Sequence, residues 1–181
     1  MNRLKKRSTA TLVLVLAMVL SIFVGGGWKL HQARAKAEDA FFNGKAGFSV
    51  YNDLLELRET SYNLLRISES IGGAEAERRT TASAWARLDE AKTPEAYASA
   101  CRELTDAVKA LDAALTNGQN SPNESWERQL RDYNEFISHL RFDSFYDEKA
   151  EAYNRLLRDP LAALIGRITG SGEMPRFTDG L

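Results

Sequence analysis

Hydrophobic and polar positions divide this chain into two regimes. Residues 10–28 contain no charge at all, whereas from Val50 to Ile168 apolar residues recur mostly every three or four positions among charged ones. The first pattern has no polar face and predicts a helix surrounded by apolar material. The second predicts amphipathic helices that hide their stripes in a common core. At about 1.5 Å per residue the 19 uncharged residues reach about 28 Å, close to the hydrocarbon thickness of a bilayer. Trp28 stands where an interfacial aromatic belongs.

After the uncharged run, residues 29–42 are rich in Ala, Glu, Lys and Arg and read as a helical stalk that Asn43-Gly44 and Gly47 interrupt. A helix over 48–71 follows from Val50, Leu54, Leu57, Ser61, Leu64, Ser68 and Ile71, with Tyr51, Leu55, Tyr62 and Leu65 widening the stripe, and Gly72-Gly73 ends it. A more polar helix over 74–92 is expected to turn Ala82, Trp85 and Leu88 inward. Thr93-Pro94-Glu95 supplies a cap, a proline in the first turn and an acid for the next helix. That helix carries Tyr97, Ala100, Leu104, Ala107, Leu111 and Ala114 on a strict stripe, flanked by Cys101, Val108 and Leu115. Asn117-Gly118 closes it and Ser121-Pro122 opens another, with the stripe Trp126, Leu130, Tyr133, Ile137 and Leu140. A turn around 141–145 leads to Tyr146, Ala150, Tyr153 and Leu157. Pro160 predicts a kink or fresh start, with Leu161, Leu164 and Ile168 continuing an apolar face. The fold class is therefore all-α: an N-terminal transmembrane helix followed by an antiparallel bundle of three or four long helices, one of them broken near Lys92.

Charge sets the orientation. Arg3, Lys5, Lys6 and Arg7 precede the span, while Lys29, Arg34 and Lys36 follow it and are soon diluted by Glu38 and Asp39. The positive-inside rule then places the N-terminus in the cytoplasm and the bundle outside. A cleaved signal peptide is the competing reading, because Ala33-Arg34-Ala35 has the small-x-small form of a cleavage site, although it lies far beyond Val24. The net charge of −1 argues against nucleic acid as a partner.

Candidate chemistry is sparse. The single cysteine, Cys101, falls on a helical stripe and reads as a small core residue. His31 and His139 lie in different segments without metal-ligand spacing, Gly25-Gly26-Gly27 follows no strand, and no serine has a nucleophile-elbow context. No catalytic, cofactor-binding or metal-binding residue is therefore assigned. Asn123-Glu124-Ser125 has the form of a glycosylation sequon, and Arg78-Arg79 reads as solvated surface. One recurrence stands out: four of the six tyrosines precede asparagine, at Tyr51-Asn52, Tyr62-Asn63, Tyr133-Asn134 and Tyr153-Asn154. The structural expectation is that these amides, Asn63 and Asn154 in particular, bond across helix interfaces and fix register. The functional alternative is that they converge on a ligand.

Ala37-Glu38-Asp39-Ala40-Phe41-Phe42-Asn43-Gly44, Asn52-Asp53-Leu54 and Tyr62-Asn63-Leu64-Leu65 resemble the first helical hairpin of LemA-family proteins. Tyr133-Asn134, Ile137-Ser138-His139, Tyr153-Asn154 before Pro160-Leu161, and the closing Pro175-Arg176-Phe177 resemble that family's last helices. Residues 74–121 match only in helical character, and the basic segment of typical members is not clearly present. The resemblance implies a membrane-anchored antiparallel bundle in a bacterial cell envelope and no reaction.

Four segments are expected: a basic cytoplasmic N-terminus at 1–9, an anchor at 10–28, the bundle at 29–169 and an irregular tail at 170–181. The expected role is a noncatalytic envelope protein, a scaffold or interaction module, not an enzyme. It would meet the lipid bilayer through residues 10–28 and unidentified envelope or membrane proteins through the bundle, with self-association left open. The alternatives are an extracytoplasmic ligand-sensing bundle and a secreted soluble bundle.

Overall fold

The structure, a computed structural model, describes residues 2–45, 48–118, 122–142 and 144–177. Seven helices lie among them: α1 (Asn2–Phe42), α2 (Val50–Ile71), α3 (Glu75–Glu90), α4 (Pro94–Asn117), α5 (Glu124–Phe142), α6 (Ser144–Leu157) and α7 (Pro160–Thr169). The described residues contain no strand, only an isolated bridge between Lys45 and Phe48. The sites at Gly47, Ser121 and Gly180 lie outside the described residues, as does Asp143 in the expected turn.

Local chemistry explains the boundaries. Ser49 caps α2 by accepting from Asn52 N at 3.2 Å, Thr93 caps α4 by accepting from Ala96 N, and Asp159 caps α7 by accepting from Leu161 N and Ala162 N. Each oxygen satisfies amides that the first helical turn leaves without partners. Asn123 does the same for α5, accepting from Trp126 N at 2.9 Å, so the sequon asparagine is a helix cap. The α1–α2 turn depends on Gly44. Its φ is +60°, and a Cβ there would stand 1.6 Å from the Phe48 carbonyl oxygen. Only glycine fits.

Cross-helix bonds fix the directions. Trp85 Nε1 donates to Arg58 O and Arg78 Nε to Ser68 Oγ, which runs α3 antiparallel to α2. Thr81 Oγ1 donates to Ala107 O and Arg87 pairs with Glu103, so α4 is antiparallel to α3. Trp126 Nε1 donates to Asp112 Oδ1 and Tyr133 Oη to Thr105 Oγ1, which sets α5 antiparallel to α4. Beyond these, α5 packs on α2, and α6 and α7 pack on α1.

The α4 stripe is buried as expected, with Tyr97, Ala100, Cys101, Leu104, Ala107, Val108, Leu111 and Leu115 in the core, and only Ala114 at its end is half-buried. The α2 and α5 stripes are buried too, apart from half-buried Tyr51, Leu55, Ile71 and Leu130 and from Tyr62, which is expected to widen the α2 stripe and is instead 47% exposed. The inner face of α3 differs from the expectation. Thr81, Ala84 and Leu88 are buried, Trp85 is half-buried and Ala82 is exposed. A helix this polar carries few apolar markers, and Thr81 turns inward because Ala107 O accepts its hydroxyl.

Pro160 makes a fresh start, but Leu161, Leu164 and Ile168 are exposed, while Ile165 and Gly166 face the core. The tail is non-helical over 170–177 yet not loose, since Met174 and Phe177 are buried. Phe177 completes an aromatic cluster around Phe41, whose ring centroid lies 4.9–6.5 Å from those of Phe42, Tyr51, Tyr97, Tyr146 and Phe177. The cluster joins α1, α2, α4, α6 and the tail.

Candidate functional site

The N-terminal helix carries the most distinctive surface of the molecule. An 18-residue window within Thr11–Phe42 has mean hydropathy 2.2, and none of its described side chains is fully buried. Leu12, Leu16, Leu20 and Val24 are all more than half exposed. The helix is therefore long and apolar enough to cross a membrane. Its second half is no free stalk. Phe23, Gly27, Leu30, Arg34, Ala37 and Phe41 recur at steps of four and three, and every one is half-buried or buried. One unbroken helix thus changes at Phe23 from an exposed apolar rod to a packed bundle helix.

Arg34 anchors the packed half electrostatically. Its Nε donates to Glu38 Oε1 and its Nη2 to Glu95 Oε1, both at 2.8 Å, tying α1 to the start of α4. The guanidinium also lies 5.9 Å from the centre of the Tyr153 ring. Burial lowers its pKa, but bonding to Tyr153 and the Glu95 and Glu38 carboxylates outweighs this and raises it overall. The sequence reads Ala33-Arg34-Ala35 only as small-x-small. In the fold, Ala33 and Arg34 sit on the packed face of α1.

The Tyr-Asn pairs do not behave as a set. Asn52, Asn63 and Asn134 are exposed. Asn154 is half-buried, and its partner is not another helix: Nδ2 donates to Met174 O and Oδ1 accepts from Met174 N, both at 2.8 Å. Register across helices is fixed instead by tyrosine and tryptophan tips, through Tyr133, Trp85 and Trp126. The physical reason is reach. An asparagine is turned about 100° from the tyrosine before it, so where Tyr133 enters the core the short Asn134 side chain stays at the surface. Nor do the four amides share the cleft that Asn63 lines, whose other walls are Arg58, Glu59, Tyr62 and Trp85.

That cleft, about 470 Å³, lies between α2 and α3 and is lined by Arg58, Glu59, Tyr62, Asn63 and Trp85. The Tyr62 and Trp85 rings stand 5.5 Å apart, and Arg58 pairs with Asp89 at 2.7 Å. An aromatic wall with a cation and amide beside it offers stacking and hydrogen bonding to a small planar or acidic group.

A search for similarity to known proteins finds no matching family model, characterised protein or solved structure.

The remaining sequence candidates fall apart in space. His31 lies exposed on α1 and His139 exposed on α5, 4.0 Å from Glu135. No group of three or more metal-ligating side chains occurs among the described residues. Cys101 is fully buried, and burial pushes its thiol up to about 12, which leaves it protonated and unreactive. Arg78, expected as solvated surface, instead staples the α2–α3 hairpin. It donates to Ser68 Oγ and Ser68 O at 3.1 Å and to Gly73 O, and it pairs with Glu75. Its neighbour Arg79 is exposed.

Proposed function

We propose that the protein is a single-pass membrane protein of LemA-like type: a noncatalytic scaffold or interaction bundle, held outside the cytoplasm by α1. The observation that supports this most is the unbroken passage of α1 from an exposed apolar half into a packed half. Such a helix holds the bundle directly against the bilayer without a flexible linker. The cytoplasmic N-terminus follows from the cations at Arg3, Lys5, Lys6 and Arg7. The noncatalytic reading draws support from side chains that serve structural ends: Arg34 and Arg78 bind helices together, and Cys101 is shielded. The LemA-like reading rests on the sequence motifs, and Phe41 at the centre of the aromatic cluster gives one of them a structural purpose.

Orientation is testable with one exposed thiol. Ser99 is solvent-facing on α4, whereas native Cys101 is buried and silent. In cells stripped of any outer barrier, Ser99→Cys is expected to react with a membrane-impermeant maleimide before lysis. Labelling that appears only after lysis would reverse the topology.

A second reading, a ligand-sensing bundle, draws on the α2–α3 cleft of Tyr62, Trp85 and Arg58. Quenching of Trp85 fluorescence by small acids or aromatic solutes, abolished in Tyr62→Ala, would favour it.

A further inference from the structure

The bundle's packing face on α1 begins inside the uncharged run. Phe23, Gly26 and Gly27 precede Trp28 and Lys29, yet all three are half-buried. What packs there is α7. A Cβ at Gly26 would stand 2.9 Å from Ile165 Cδ1, and one at Gly27 would stand 3.7 Å from Ile165 Cγ2. Gly166 also faces Leu30 in ordinary contact, a Cβ there standing 3.9 Å from Leu30 Cδ2 and only 2.9 Å from Leu157 Cδ2 and Ser171 O. The glycines let α7 approach closely, and their place in the sequence fixes its depth, level with the last turn of the apolar span.

Helix α7 is short and apolar, ten residues from Pro160 to Thr169. Ile165 spends its side chain on α1, but Leu161, Leu164 and Ile168 are 39%, 47% and 69% exposed. These three lie within one arc of the helix, next to the packed face rather than scattered. Exposed Arg158 just before α7 and exposed Arg167 within it place cations beside the stripe. Apolar side chains beside cations at this depth match the chemistry of a helix lying in a lipid headgroup interface.

We propose that α7 is a second membrane contact, an interfacial helix that lays Leu161, Leu164 and Ile168 into the bilayer surface beside the anchor. Together with α1 it makes a two-point attachment that limits how the bundle can tilt and turn. The inference rests on α1 being a membrane anchor, and its test separates the two.

Single thiols at Leu16, Leu164, Ile168 and Ser99 of the full-length protein, each substituted to Cys, are labelled with an environment-sensitive fluorophore. The protein is reconstituted in vesicles of phosphatidylcholine and phosphatidylglycerol carrying nitroxides either at the top of the acyl chain or near its end. Labels at 164 and 168 are expected to shift to the blue and be quenched most by the shallow nitroxide. The label at 16 should be quenched by the deep one, and the label at 99 by neither. If 16 is quenched while 164 and 168 behave like 99, the interfacial helix is overturned and the anchor stands. If 16 is also unquenched, both fail. Crosslinking of 164 or 168 to a second copy of the chain, without nitroxide quenching, would assign the stripe to self-association and likewise overturn the proposal. Leu164→Ser with Ile168→Ser, which alters only exposed side chains, should retain native circular dichroism. It should make a label at Lys29→Cys more mobile in vesicles, a change that a merely solvated helix would not produce.

Discussion

Replacing Phe177 by Ala is expected to destabilise the bundle by about 3–5 kcal/mol, the usual result of removing a fully buried aromatic side chain. Phe177 is 1% exposed and its ring lies 5.8 Å from both Phe41 and Tyr146. The surrounding residues cannot collapse into the void easily, because the tail leading up to Phe177 is pinned by hydrogen bonds. Tyr146 Oη donates to Pro175 O at 2.8 Å, Tyr153 Oη donates to Gly172 O at 3.2 Å, and Asp147 Oδ1 accepts from Phe177 N at 3.0 Å. Asn154 clamps both polar groups of Met174. Deleting the chain from Gly172 onward would remove the ring and leave these groups without their tail partners, at about 1–3 kcal/mol for each that stays buried. Urea unfolding followed by circular dichroism measures both variants. A loss under about 1 kcal/mol for Phe177→Ala, the median for an arbitrary substitution, would mean that the tail does not dock.

Leu104→Ala and Leu111→Ala should each cost about 2–5 kcal/mol. Both side chains are completely buried, one turn apart in pairs with Cys101 and Val108 on the face of α4 that meets the core. Alkylation of Cys101 gives a sensitive readout. Its thiol is inaccessible and held protonated, with a pKa near 12, so it reacts only when the bundle opens. The rate of its modification should rise in proportion to the opening equilibrium, by about tenfold for each 1.4 kcal/mol lost. Changes below about 0.5 kcal/mol at both leucines, the range of a surface substitution, would mean that another face of α4 is buried.

The sequence discloses the stripes of α2, α4 and α5 because their apolar residues are dense and regularly spaced. Where the helix is polar the signal weakens. The orientation of α3 turns on the hydroxyl of Thr81, and hydrophobicity does not register that residue as inward-facing. Exposure of Leu161, Leu164 and Ile168 escapes the pattern for a different reason. Apolar spacing reports a face that avoids water, and both a protein core and a lipid surface satisfy it. The tail escapes because its two buried side chains, Met174 and Phe177, follow no helical spacing, and its polar docking is made of backbone groups at Gly172, Met174, Pro175 and Phe177 that carry no sequence signal. Arg78 shows the same limit. A charged side chain whose partners are two carbonyls and a serine looks like surface until the hairpin brings Ser68 and Gly73 to it.

The Tyr-Asn recurrence illustrates how a real regularity can point to the wrong atom. Tyr133 and Tyr153 are buried and use their hydroxyls, while three of the four following asparagines face solvent. The dipeptide marks the edge of a stripe, with the tyrosine as its working member.

On the reading proposed above, α1 is both membrane anchor and bundle helix. Extraction of native membranes with alkaline carbonate, followed by N-terminal sequencing of the protein recovered, tests it most directly. The chain is expected to stay in the membrane pellet with the apolar half of α1 intact. Cleavage after Ala35 would also remove Phe23, Gly27, Leu30 and Arg34, the residues on which α6, α7 and α4 rest. A chain released to the supernatant, or a mature N-terminus at Lys36, would contradict the account.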